Sequence, residues 1–272
     1  MPALKVLTQT EIDQFVNEGY VYLRNAFPAE ASEAIRAEIW SRIGLSPDEP
    51  AAWDRQTVGL QETLTGEICE PIFTDRLIHA YDDVLGEGRY KLWKEQGWWP
   101  VTFPGFAEKP WTPPDDGWHV DGGFHHHVYS RDQGLLPIFI HSQIDEGDGG
   151  TAILPGSHRM TARKLVESAP VGMTVKEICE FSFHTAKANL NDAVEVNGSP
   201  GDVVLMHPFM MHTSSKNTGS RVRFICNPKV VLHDHMNLQR DDAANYSPVE
   251  RAIVEAAGDL LEAMEPAPQD AV

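Results

Sequence analysis

The sequence predicts a mainly β protein: a jelly-roll or barrel core with helices before it and one helix after it. Three observations support this. From about Tyr90 to about Lys229, short β-type runs are punctuated by Gly, Pro, Asn and Asp. The segments on either side carry helical periodicity with capping signals. No apolar run approaches the roughly twenty residues that cross a bilayer, so the periodic segments belong to a globular protein.

Taken in order, Thr8 and Glu11 have the spacing of a capping box ahead of Ile12, Phe15 and Val16, and Gly19 stands where a helix would stop. Tyr20 to Leu23 reads as a short strand. Ala29 to Ile43, stopped by Gly44, is a second amphipathic helix, and Asp75 to Leu85 a third. The β-type runs are PVTF (100–103), LLPIFIHSQI (135–144), TAIL (151–154), AVEV (193–196), DVVLM (202–206) and VRFICN (222–227). Ser247 as N-cap and Pro248 at the first helical position open a last helix to about Met264, followed by a loose tail, EPAPQDAV. There is no internal repeat and no linker. The expected organisation is one domain over 1–272: a mostly helical part (1–89), the β core (90–229), and a C-terminal loop, helix and tail (230–272).

Lys and Arg number 22 against 40 Asp and Glu, a formal net charge of −18. Such a field repels nucleic acid and anionic membrane surfaces, and it works against polyanionic substrates unless cations gather at the pocket. Cys69, Cys179 and Cys226 are odd in number and far apart, and none lies in a CxxC pair. Reduced, buried thiols are expected rather than a disulfide framework or a thiolate zinc site. The opening MPALKVLTQTEIDQF lacks the basic-then-apolar pattern of a secretory signal, and the expected location is cytoplasmic.

Chemistry concentrates in WHVDGGFHHH (118–127). Residues two apart on a strand share a face, so His119 and Asp121 can address one atom while Val120 packs away. One imidazole and one carboxylate are two-thirds of the facial triad of non-haem Fe(II), although a hydrogen-bonded structural pair would look the same. The third ligand must come from a distant strand, and GDVVLMHPFMMHTSSKNTGSRVRF (201–224) offers His207 and His212. A reversal at Asn217, Thr218 and Gly219 would put His212 and Arg223 at similar heights, with the guanidinium placed to clamp a carboxylate. His207, before Pro208, reads as a strand-end residue. Gly122 and Gly123 break the strand, so His125, His126 and His127 are expected on a loop at the pocket mouth, at least two of them as plain surface residues. His158, in PGSHR, is expected to buttress its turn. Trp93, Trp98, Trp99, Phe103, Phe106, Trp111 and Trp118 form an aromatic cluster, mostly core, part of which could line an apolar cavity.

Four features in this order resemble the phytanoyl-CoA dioxygenase family of Fe(II)/2-oxoglutarate oxygenases: LTQTEIDQFVNEGYVYLRNAF (7–27), WHVDGG, GDGGTAILPGSHR (147–159) and the 201–224 stretch. The resemblance implies a double-stranded β-helix (cupin-like jelly roll), metal ligands His119, Asp121 and His212, and the distal carboxylate of 2-oxoglutarate on Arg223 with help from Ser214. It also implies a cosubstrate neighbour on the following strand, where Phe139 and His141 have equal parity. Arg221 matches a second basic residue, expected on the surface. The implied activity is hydroxylation of an unactivated C–H using O2, with release of succinate and CO2. Relatives that halogenate lack the carboxylate that Asp121 supplies here; desaturation and epimerisation remain open. The expected substrate is a small metabolite rather than a coenzyme A thioester, because no basic cluster is present to receive the phosphates. The competing readings are a cupin-type metalloenzyme that does not use 2-oxoglutarate and a non-catalytic jelly-roll binding module. Zinc hydrolysis is disfavoured because HExxH is absent.

Overall fold

The computed structural model describes residues 3–261. Helix α1 (Gln9–Glu18) starts on the expected capping box, with Thr8 and Glu11 bonding reciprocally. It ends at Gly19, whose positive φ (83°) turns the chain directly into β1 (Tyr20–Leu23). Only glycine fits here twice over, because a Cβ would also lie 2.4 Å from His158 Nδ1. Helices α2 (Ala31–Ile43) and α3 (Asp75–Leu85) follow as predicted, with β2 (Thr57–Leu60) between them.

The core strands are shorter than the apolar runs that announce them. They are β3 (Trp99–Thr102), β4 (Leu136–Ile140), β5 (Ala152–Ile153), β6 (Val194–Glu195), β7 (Val203–Met206), β8 (His212–Thr213) and β9 (Ile225–Cys226). They form an antiparallel sheet in the order β1-β7-β4-β9, a second in the order β6-β5-β8, and a β2-β3 pair. Because β1 is an edge strand of the larger sheet, the N-terminal part is not purely helical: it supplies a piece of the core.

Two apolar clusters divide the sheet faces. Ile138 and Ile140 of β4, Val204 and Met206 of β7 and Ile225 of β9 pack with Ile153 and Val196 across the space between the two sheets, the interior of the jelly roll. The alternate residues, among them Phe139, Val203 and Cys226, join a larger cluster with Phe27, Ile35 and Phe73 from the helical layer. Both faces of the large sheet are therefore covered, and every residue of β4 and β7 is buried.

Two helices interrupt the region read as purely β: α4 (Ser157–Glu167), which opens in the PGSHR stretch, and α5 (Val175–Ala188). Helix α4 packs against α6 (Pro248–Leu261). The last helix has the predicted Ser247 cap; its expected final turn to Met264 and the tail lie outside the described residues. No helix among the described residues is long and apolar enough to cross a membrane.

Candidate active site

His119, Asp121 and His212 meet at one end of the jelly roll, each offering a ligand atom within 4.8 Å of the others. The segment 118–121 is not a full strand. A single antiparallel bridge, in which His119 and His212 exchange both backbone hydrogen bonds at 3.0 Å, holds it to β8. Gly117 and the pair Gly122–Gly123 limit it on either side.

The ring nitrogens are assigned by their partners. His119 Nδ1 lies 2.8 Å from the carbonyl of Gly117, and His212 Nδ1 lies 3.1 Å from that of Met210. A carbonyl only accepts, so each Nδ1 carries a proton, and Nε2 is the nitrogen that can offer a lone pair to a cation. Both Nε2 atoms face Asp121 Oδ1, at 3.1 and 3.6 Å. Burial pushes the Asp121 carboxyl up, but the His212 and His119 rings more than offset this and hold it well below the usual carboxylate range. Burial likewise lowers His119, yet the Asp121 carboxylate brings it out above the ordinary histidine value. Two lone pairs and a carboxylate oxygen converge on one point, which suits a divalent cation with bonds of about 2 Å.

Arg223 lies two residues before Ile225 and bridges Thr102 of β3. Its guanidinium is buried (1% exposed) and donates to the Gly149 carbonyl (2.5 Å), the Pro100 carbonyl (2.7 Å) and Thr102 Oγ1 (2.6 Å). All three acceptors are neutral, Nε has no partner, and no carboxylate lies within 4.0 Å among the described residues. Burial depresses Arg223 to about 10, with the Glu195 carboxylate offsetting part of that effect. A buried cation with no carboxylate in contact is expensive, and an anionic ligand would relieve that cost. Ser214 is exposed, whereas its neighbour Ser215 is buried and donates to the Gly150 carbonyl. Arg221 is on the surface as expected, paired with Asp145 and Asp148.

His141 does not join this site, which corrects its expected place beside the cosubstrate. It points into the helical layer, with Nδ1 3.1 Å from Ser32 Oγ of α2 and Nε2 3.0 Å from Gln96 Oε1; burial pushes it down to about 3. Phe139, of equal parity, packs on Phe27 and Phe73 on that same outer face. His207 is buried with both ring nitrogens engaged by the backbone of Val249 and Phe209. His158 braces α1 through the Val16 carbonyl rather than its own turn. In the histidine run, His125 is exposed and His127 stacks on Tyr129. His126 departs from the surface expectation: it is buried, and its backbone pairs with Met173. Of the aromatic cluster, Trp99, Phe103 and Trp118 are core, while Trp93, Trp98 and Phe106 are exposed.

The sequence reading overlooked Asn227, whose Nδ2 donates to Asp121 Oδ2 at 2.9 Å. The alternation that turns Arg223 and Ile225 inward extends to Asn227, and that signal would have found it. Beside Asp121 opens a cleft of about 400 Å³, bounded by Asn227, Gln133 and Leu136, with exposed Trp98 and Lys229 at its rim.

A family model described as phytanoyl-CoA dioxygenase (PhyH) matches residues 15–225. Over 232 residues the chain is 28% identical to a 1-deoxypentalenic acid 11-beta-hydroxylase from Streptomyces exfoliatus, covering 77% of this chain and 75% of the relative. Among solved structures it resembles HygX from Streptomyces hygroscopicus with nickel and 2-oxoglutarate bound (TM-score 0.53, 15% identity, 83% of this chain and 87% of that one). It also resembles EctD from S. alaskensis with 2-oxoglutarate and 5-hydroxyectoine (TM-score 0.51, 18% identity, 85% and 80%). At these identities the structural likeness establishes the jelly-roll fold.

Proposed function

The chain belongs to the phytanoyl-CoA dioxygenase family and is an Fe(II)- and 2-oxoglutarate-dependent dioxygenase, and we propose that His119, Asp121 and His212 hold its iron and Arg223 its cosubstrate. One observation carries the assignment: His119 Nε2, His212 Nε2 and an Asp121 oxygen face one another, with both Nδ1 protons committed to backbone carbonyls, so that a cation replacing any Nε2 proton would meet two nitrogen donors and a carboxylate.

Each residue then has a defined task. Neutral His119 and His212 would supply nitrogen donors to the iron, and ionised Asp121 one negative charge. Asn227 fixes the carboxylate from behind. Arg223 supplies a buried positive charge for the far carboxylate of 2-oxoglutarate. With a divalent ion, Asp121, Arg223 and a dianionic cosubstrate the charges sum to zero, which suits a site withdrawn from water. Iron bound there supplies the activation of O2 that couples decarboxylation of 2-oxoglutarate, to succinate and CO2, with hydroxylation of a C–H bond. The substrate is a small molecule held in the cleft beside Asp121. Lys229 is the one cation among the residues lining that cleft, too few for the several phosphate charges of a coenzyme A thioester. The whole chain would serve this reaction as one domain.

The test is anaerobic titration of metal-free protein with Fe(II) and 2-oxoglutarate, following the visible charge-transfer band of a chelated 2-oxo acid. The band is expected in the wild type, needs far more cosubstrate in Arg223→Ala, and is absent in His212→Ala. Iron bound without a band would point to a metalloenzyme that does not use 2-oxoglutarate. No iron at all would leave a binding module.

A further inference from the structure

Two rim residues of the cleft are unexplained by folding. Trp98 has a positive φ (63°), a conformation that bulky side chains avoid, and its indole is 53% exposed. The backbone around it is fixed on both sides. Gln96 exchanges both backbone hydrogen bonds with Leu64, Gly97 lies so close to Thr63 that a Cβ would come within 2.9 Å of its Oγ1, and Trp99 is fully buried. With its neighbours held inward, Trp98 is displayed at the cleft in a backbone conformation that is costly for a bulky residue.

Lys229 is the second. In a chain of net charge −18 it is exposed at the cleft, with its ammonium 5.4 Å from the Phe124 ring centroid and no ion-pair partner within 4.0 Å among the described residues. Glu95 and Asp121 line the same cleft, so a ligand with several negative charges would be repelled there, and Lys229 is the single place for one. The remaining wall is mixed: Leu136 is apolar, while Gln61 and Gln133 offer amides.

We propose that the cleft selects a compact apolar monoacid, with its carboxylate on Lys229 and a ring or branched hydrocarbon face against Trp98, so that its C–H bonds lie on the Asp121 side. This deepens the preceding proposal and rests on it for the reaction, though not for the binding. The cleft volume is that of a small-molecule site. An indole face and one ammonium are a minimal pair for such a ligand, the first giving area and the second orientation.

The test uses matched probes: cyclohexane-, adamantane- and naphthalenecarboxylate, each against its primary amide, titrated by calorimetry and saturation-transfer NMR with 2-oxoglutarate in excess. At least one acid should bind the wild type about fivefold or more tighter than its amide, and Lys229→Gln should remove that preference. Trp98→Gly should weaken acid and amide alike by about fivefold without lowering the melting temperature, because glycine relieves the positive φ. Acids and amides binding alike or not at all, or a preference that survives Lys229→Gln, would overturn the proposal. None of these readings needs iron or turnover, so their failure is separable from loss of the charge-transfer band.

Discussion

Asn227 and Asp121 form a one-sided grip: the Asn227 amide holds Oδ2 at 2.9 Å, which leaves Oδ1 facing the two histidine nitrogens. Asn227→Ala would let the carboxylate rotate. Fe(II) affinity should fall by about 10- to 100-fold, as for other residues that orient a ligand from behind, while the metal-free protein keeps its stability within about 1 kcal/mol. Competition with a chelator of known affinity measures this, and an unchanged affinity would remove Asn227 from the site.

The two arginines two residues apart should behave as opposites. Arg223→Ala strips three oxygens of their donor but also removes a costly buried charge, and should cost about 1–3 kcal/mol of stability together with most 2-oxoglutarate affinity. Arg221→Ala removes an exposed pair with Asp145 and one partner of the buried Asp148 carboxylate, which keeps the Asp145 amide, and should cost about 1–2 kcal/mol, with cosubstrate binding intact. Urea unfolding and 2-oxoglutarate titration of both variants decide it.

Acid should destabilise the fold before its carboxylates titrate. Burial pushes His141 down to about 3, His158 to about 4 and His207 well below the ordinary value. The unfolded chain takes up these protons near 6.5, so the stabilising contribution is complete above that pH and drains away as pH falls toward the folded values. At about pH 5 each ring that stays neutral costs about 2 kcal/mol relative to neutral pH. Unfolding free energies that agree at about pH 7.5 and about pH 5 would contradict this, and His141→Gln should flatten the difference by roughly one ring's share.

Glu250 should act in the same direction over a lower range of pH. Its carboxylate, 1% exposed, bonds Arg89 and Arg240 as well as the Ser247 amide. Burial raises it, but the two guanidinium groups more than offset this and bring it down to about 2. Its contribution is therefore complete above the ordinary value of 4.5 and is lost only as pH falls through about 2. Glu250→Gln at neutral pH should cost about 3 kcal/mol by leaving Arg89 and Arg240 without their shared partner, read as a lower urea midpoint.

Local signals were legible where a side chain closes on its own backbone. Thr8 with Glu11, Gly19 and Ser247 marked helix ends correctly because capping is a short-range bond. Thr174 and Glu177 carry the same signature at the start of α5, inside a stretch whose flanking runs are β-type. Helix α4 gave no such cue: its N-cap is Gly156, without a side-chain bond. The metal cluster was legible because its pattern spans two segments that must meet. His141 was not, since alternation along β4 says which residues share a face but not which face is inside. With both faces buried, polarity could not break the tie.

The bridge between His119 and His212 joins segments that leave the ribosome far apart in time. At about 5–20 residues per second, the roughly 90 residues between Asp121 and His212 take some 5–20 s to emerge. Over that interval β4, apolar on both faces, waits for β7 and β9 as well. The nascent chain therefore exposes apolar strand surface until β7 and β9 arrive, and the metal cluster is complete only when His212 has joined it. Because main-chain bonds rather than the ion close the bridge, cells starved of iron should accumulate folded, dormant protein that added Fe(II) awakens within the time of mixing.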